Sequence, residues 1–180
     1  MRQLTTHFLK ARFGDQRSFV NGKDALEIFH HLLCMPSSSA PDHESTNDDV
    51  YECIRITALI WCTAITHNTP LSIAIPIATA SRSEQKDLIG ALISALRKSD
   101  TNDCWGKGMI GSFMWVAKTG CAAVPSGSVP FKWFYLENAR AVIHGLRHRL
   151  YLDILTGSET LLKVQEGLRM PDDSRVRELG

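Results

Sequence analysis

The apolar positions of this chain recur at helical spacing, in long stretches separated by short polar breaks. The first stretch is KDALEIFHHLLC, Lys23 to Cys34, where Leu26, Phe29, Leu32 and Leu33 fall near one face and Asn21 or Asn21-Gly22 supplies a start. MPSSSAPDHESTND, Met35 to Asp48, then has the proline, serine and acid content of an exposed loop. Asp48 and Asp49 favour the start of the next helix, because carboxylates are stabilised beside the unpaired N–H groups there. From Val50 to Thr66 that helix is apolar on most sides, through Ile54, Ile56, Ala58, Leu59, Ile60, Trp61, Ala64 and Ile65. Such a helix belongs at the centre of a bundle, covered by others.

HNTPLSIAIPIATAS, His67 to Ser81, reads as an irregular connection, and Pro76 spoils a strand reading of Leu71 to Ile77. Ser81 and Glu84 resemble a capping box that opens a helix burying Leu88, Ile89, Leu92, Ala95 and Leu96. A polar stretch from Arg97 to Gly106 stops it, and Met109 to Ala123 forms the next helix. VPSGSVP breaks the chain again, and Pro130 suits the first turn of a helix running to about Leu150. Ser158 caps a last helix, ETLLKVQEGL, ahead of a charged tail. The expectation is an all-α fold, an irregular bundle of about six helices. It divides into an N-terminal segment (1–22), a helical domain (23–170) and a charged tail (171–180).

Composition narrows the partners more than it narrows the fold. Across 180 residues, 20 Lys+Arg against 19 Asp+Glu leave a net charge of +1. The basic excess of a nucleic-acid-binding domain is missing, and Arg147-His148-Arg149 is too short for a localisation signal. The N-terminus has no apolar run of signal-peptide length. Ile56 to Ser81 is uncharged and long enough to span a membrane, but His67-Asn68-Thr69-Pro70 and Pro76 interrupt it, so a buried helix followed by a loop is expected. Five cysteines (34, 53, 62, 104 and 121) form no C-x-x-C and point to buried thiols in a reducing compartment. Cys53 and Cys62 lie about half a helical turn apart in direction, so they do not share an ion.

Four constellations invite a chemical reading. Gly106, Gly108 and Gly111 spell a dinucleotide fingerprint, but no strand precedes them and no acid follows at the required distance. They read instead as a turn at Gly106 and Gly108 and a close-packing position at Gly111, with Lys107 able to meet an anion at a helix N-terminus. His144 and His148, four apart, share a helix face and could reach one metal; HGLRH lacks the glutamate of the zinc-protease motif, so a polar stripe near a helix C-terminus is the stronger reading. His30-His31 could switch charge at mildly acid pH, but on this amphipathic helix one is expected to pack and the other to be solvated. Glu84 with Asp87 pairs two acids on one face, and the capping role explains Glu84 without chemistry. None of these assembles a catalytic set, so no catalytic, cofactor-binding or metal residue is assigned and no cofactor is expected. Trp61, Trp105, Trp115 and Trp133, with Phe113, Phe131 and Phe134, concentrate aromatics between 105 and 135; most should be core, and any exposed cluster should lie there.

Two stretches carry a family likeness. YECIRITALIWCTAITHNTPLS (Tyr51 to Ser72) and CWGKGMIGSFMWVAKTGCAA (Cys104 to Ala123) resemble the regulatory region of fungal-specific transcription factors, whose DNA-binding part is a zinc-cysteine cluster. The first is similar to that family's E-x-C-R-L-A-A-L-I-Y helix and Pro-containing loop; the second to its Trp-Gly-x-x-x-G-x-x-x-W helix. The aromatic FKWFYLENARAVIHGL follows as in the family, and SETLLKVQEGL resembles its final helix, with Glu159 where a tryptophan is usual. The likeness covers about residues 45 to 170. It implies an α-helical regulatory domain over 23–170, nuclear or otherwise cytoplasmic, that controls transcription through protein partners or a small effector. The zinc cluster's six cysteines, basic linker and coiled coil are missing, so direct DNA binding is not expected. The chain is expected to be a fragment, a truncated product or a stand-alone regulator.

If an effector binds, its pocket is expected between the 50–66 and 109–123 helices, near Trp61 and Trp115. The other readings are a small helical metal protein or enzyme using His144 and His148, and a purely structural helical domain.

Overall fold

A computed structural model of the protein describes residues 27, 30, 31, 34, 35, 49–80, 87–99, 104, 105, 107–147 and 151–169. Six helices are traced end to end: α1 (Asp49–Thr66), α2 (Leu71–Ala80), α3 (Leu88–Lys98), α4 (Ile110–Ala123), α5 (Val129–Arg147) and α6 (Tyr151–Arg169). A 3₁₀ turn, Lys107–Met109, leads into α4, and no strand occurs among the described residues. The fold is all-α, as the apolar spacing predicts. Of the predicted 23–34 helix, Glu27, His30, His31 and Cys34 are helical and exposed; Leu26, Phe29, Leu32 and Leu33 lie outside the described residues.

Helix α1 is the central element, packed against α2, α3 and α4. Cys53, Ile56, Leu59, Ile60, Trp61, Cys62 and Ala64 are all buried along it. Two of its buried hydroxyls bond back to carbonyls of the helix itself. Thr57 Oγ1 donates to the Cys53 carbonyl at 2.7 Å and Thr63 Oγ1 to the Leu59 carbonyl at 2.8 Å.

The segment after α1 departs from the expected loop. The Thr69 N–H reaches the Ala64 carbonyl at 2.9 Å and the Asn68 N–H the Ile65 carbonyl at 3.3 Å, the paired bonds of a Schellman ending. Asn68 supplies the left-handed residue this ending needs, with φ of 48°. The turn delivers Pro70 to the start of α2, where the Ala74 N–H bonds the Pro70 carbonyl at 3.0 Å. Pro76 does not stop α2 because it sits on the exposed side, as does Ser72, whose carbonyl loses its helical donor. Water can satisfy that carbonyl, while Leu71, Ala74 and Ala78 bury the opposite face.

Two other helix starts differ from expectation. Helix α3 begins at Leu88 with Asp87 as its cap, accepting from the Gly90 N–H at 2.8 Å; Ser81 and Glu84, the expected capping box, lie outside the described residues. Ser158 is not a cap at all. It lies inside α6, which runs on from Tyr151, and its hydroxyl instead receives a hydrogen bond from the Lys118 ammonium of α4. Helix α5 does begin as predicted: Ser128 Oγ accepts from the Phe131 N–H at 3.2 Å, Pro130 occupies the first turn, and Gly127 makes the preceding turn at φ of 82°.

Candidate interaction surface

Helices α1 and α4 are neighbours joined by a buried hydrogen bond. Trp61 of α1 donates its indole N–H to Thr119 Oγ1 of α4 at 2.7 Å, and Thr119 in turn donates to the Trp115 carbonyl at 2.7 Å. A buried indole N–H requires such a partner, so the pair fixes the register of α1 against α4. Trp61 is therefore a buried strut where the sequence placed the wall of an effector pocket. Trp105 does the same for the next helix end: its indole donates to Ser99 Oγ at 2.8 Å, and its ring lies 5.3 Å from that of Phe113.

The same helix α1 buries a charge pair. Arg55 donates through Nε to Glu52 Oε2 at 2.9 Å and through Nη2 to Oε1, a two-pronged contact one helical turn long. Both residues are buried, so the pair carries its charges into the interior of the bundle.

The glycines of the apparent fingerprint take ordinary roles. Gly108 lies in the 3₁₀ turn and Gly111 in the first turn of α4; a methyl group added to either would meet nothing within 4 Å. Gly106 lies outside the described residues. Close packing falls instead on Gly120, where an added Cβ would stand 2.3 Å from the Phe134 ring of α5. Gly111 is thus corrected to an open position. It is exposed, whereas Gly120 faces the helix on which α4 packs most extensively.

The remaining candidates do not converge. His144 is half-buried near the end of α5, and His148 lies outside the described residues. No three His, Cys, Asp or Glu among the described residues are grouped to hold a metal. Cys53 and Cys62 are buried as expected, and burial pushes the Cys62 thiol up to about 11. Cys121 is half-buried and likewise raised to about 11 by burial, but Cys34 and Cys104 are exposed, against the expectation of buried thiols throughout. Among the described residues no helix is long and apolar enough to cross a membrane.

What does stand out is the outer face of α5. Phe134, Glu137, Ala141 and Gly145 point inward. Val129, Leu136 and Ile143, seven residues apart, are 80%, 59% and 54% exposed, and Tyr135 and Leu146 widen the stripe. Positions seven apart drift by only about 20°, so the three form one ridge along the helix. The exposed charges of α5 are all basic: Lys132, Arg140 and Arg147. Its single acid, Glu137, is buried and holds Arg140 Nη1 at 2.8 Å. Burial raises the Glu137 pKa and Arg140 partly offsets that rise. Arg97, at the end of α3, lies over the Trp133 ring at 5.5 Å and adds a further cation beside the ridge.

The exposed cluster therefore overlaps the 105–135 region expected to hold it, at Val129 and Tyr135, and continues beyond it to Leu146. Phe134 is core and Trp133 half-buried, so the aromatics chiefly build the inside. Three residues escaped the sequence reading as structural partners. Thr119 carries no motif, although its place four residues after Trp115 allows the bond to that carbonyl. Glu52 and Arg55 were legible only as the charged positions of an otherwise apolar helix. Comparison with protein-family models, curated proteins and solved structures gives no match to this chain.

Proposed function

We propose that the chain is a helical regulatory module of the kind found in fungal zinc-cluster transcription factors, acting through protein contacts and not itself binding specific DNA. The observation that carries this reading is the uncovered apolar face of α5: contiguous exposed apolar surface on a helix anchored by its opposite face marks an interaction site. The likeness of Tyr51–Ser72 and Cys104–Ala123 supports the family, and those stretches meet through Trp61 and Thr119. A near-neutral charge supports action through proteins, since phosphate binding needs a basic excess. The reading places the module in the nucleus and assigns it no catalytic step.

The test is transcriptional. Fused to an unrelated DNA-binding domain, the full chain is expected to change the output of a reporter carrying that domain's sites. It is expected not to retard random or genomic DNA fragments when alone. A fusion whose reporter output equals that of the unfused DNA-binding domain overturns the reading. Retardation of one DNA sequence in preference to others overturns the protein-contact part of it.

A further inference from the structure

The proposed regulatory reading leaves the partner open, and the outer face of α5 narrows it. The ridge Val129, Leu136, Ile143, widened by Ala139 and Leu146, runs nearly the length of the helix, about 25 Å at the rise of an α-helix. One flank carries positions 133, 140 and 147, again seven apart: Trp133 with Arg97 over its ring, then Arg140, then Arg147. Lys132 heads the row on the other side of Val129, Leu136 and Ile143, the row that continues with Ala139 and Leu146. Every exposed charge of α5 itself is positive, because the one acid of α5, Glu137, is turned into the core.

We infer that this face docks an acidic amphipathic helix of a protein partner. An apolar ridge of about five turns matches the i, i+3, i+4, i+7 face of a helix laid along it. The basic border selects the partner's charge, since complementary rims steer association and like charges oppose it. The border also disfavours the other occupants. A second copy of the chain packed α5 against α5 brings Lys132, Arg140 and Arg147 onto their own like charges. The chain's own acidic stretch, Asp42 to Asp49, has no large apolar residue among its members and cannot fill the ridge. An anionic lipid surface shares the required charge, but a membrane-surface helix opposes its apolar face with a charged one, and the opposite face of α5 is buried core.

The full-length chain is mixed with a fluorescent peptide of about 18 residues, about five helical turns, carrying leucines at helical spacing and glutamates along both borders. Rising anisotropy that weakens in about 0.5 M salt is expected, because screening at that strength reaches only a few ångströms. The same peptide with lysines in place of the glutamates is expected not to bind. Leu136→Ser with Ile143→Ser should weaken binding more than about tenfold, as should Lys132→Glu with Arg147→Glu. Arg140 is left in place because it pairs with Glu137. Circular dichroism melts of each variant, unchanged from the parent, show that a lost affinity is not lost folding.

Equal binding of the acidic and basic peptides, no binding of the acidic one, or binding untouched by both pairs of substitutions overturns the inference. So does binding to phosphatidylserine vesicles in preference to the peptide, or a dimer in sedimentation that the Leu136→Ser, Ile143→Ser chain no longer forms. The reporter assay separates the two readings. If the parent chain alters the reporter and the Lys132→Glu, Arg147→Glu chain does so equally, the docking inference fails while the regulatory reading stands. If the parent chain leaves the reporter unchanged, the regulatory reading fails whether or not the peptide binds.

Discussion

The inner and outer faces of α5 are made from similar residues and meet opposite surroundings. Inward, Phe134 is fully buried against Gly120 of α4, and Ala141 and Gly145 keep the two helices close. Outward, Leu136, two residues from Phe134, stands mostly in water. Two residues advance a helix by about 200°, so neighbours in sequence reach opposite sides. Helix α1 is apolar on most sides and α2, α3 and α4 cover it; α5 is less apolar and is covered on one side. Apolar content thus reports how much surface needs cover, and packing decides whether the chain supplies it.

The strongest test of this contrast lies at Phe134. Phe134→Ala removes a fully buried ring from the α4–α5 contact and should lower stability by about 3–5 kcal/mol, read as a reduced urea midpoint. The gap left beside Gly120 is bounded by a residue without a side chain, so little can move in to fill it. A loss near zero would mean that the α4–α5 contact does not form in solution.

A pair of identical substitutions on α4 probes the same contact from the other side. Gly120→Ala places a methyl group into the Phe134 ring, which is buried and cannot swing away, and should destabilise by about 1–3 kcal/mol. Gly111→Ala in the same helix meets nothing and should stabilise by about 0.5–1 kcal/mol, the ordinary gain of alanine over glycine in a helix. Melts of the two variants should move in opposite directions. If both fall or both rise, the assignment of close packing to Gly120 is wrong.

A smaller effect is expected from the acid that α5 turns inward. Burial raises the Glu137 pKa above its ordinary 4.5, so the folded state binds this proton more tightly than the unfolded one. Its contribution to stability is greatest below pH 4.5 and is lost as pH rises through the raised folded value. Glu137→Gln should remove that decline and leave the variant relatively more stable at neutral pH. The ion pair it gives up, to a mostly exposed Arg140, contributes little. Urea midpoints taken across acid pH check this; a variant whose stability declines as steeply as the parent's places the titration elsewhere.

Much of this architecture is legible in the residues, and the failures have physical causes. Helices α1, α3, α4 and α5 are readable because their apolar spacing persists for several turns. Helix α2 is hidden by Pro76, since a proline's effect depends on which way its orphaned carbonyl faces, and sequence does not record that direction. The start of α6 is hidden by Gly157 and Ser158, poor helix formers in the middle of a helix. Gly111 and Gly120 show the sharper limit. Both are glycines of α4, and their difference lies wholly in the presence of Phe134, a residue of another helix. The outer ridge, by contrast, was readable: Val129, Leu136 and Ile143 recur every seven residues, out of phase with Phe134 and Ala141. Its exposure follows from the single-sided packing of α5, which the recurrence alone does not reveal.

The smallest expected effect is the one on which the contrast depends. Leu136→Ala with Ile143→Ala should change stability by no more than about 0.5 kcal/mol, since side chains already in water lose little when shortened. The same pair should reduce binding of a dye that fluoresces on apolar surfaces, because the ridge is the surface removed. If the pair instead lowers stability by about 2 kcal/mol or more, the range of buried truncations, another part of the molecule covers the ridge in solution. The acidic helix would then have no open face to occupy, and α5 would join α1 as a helix whose cover the chain provides. Unchanged stability with reduced dye binding leaves the ridge bare, and a bare ridge of this length whose own helix exposes only basic charges favours an acidic partner.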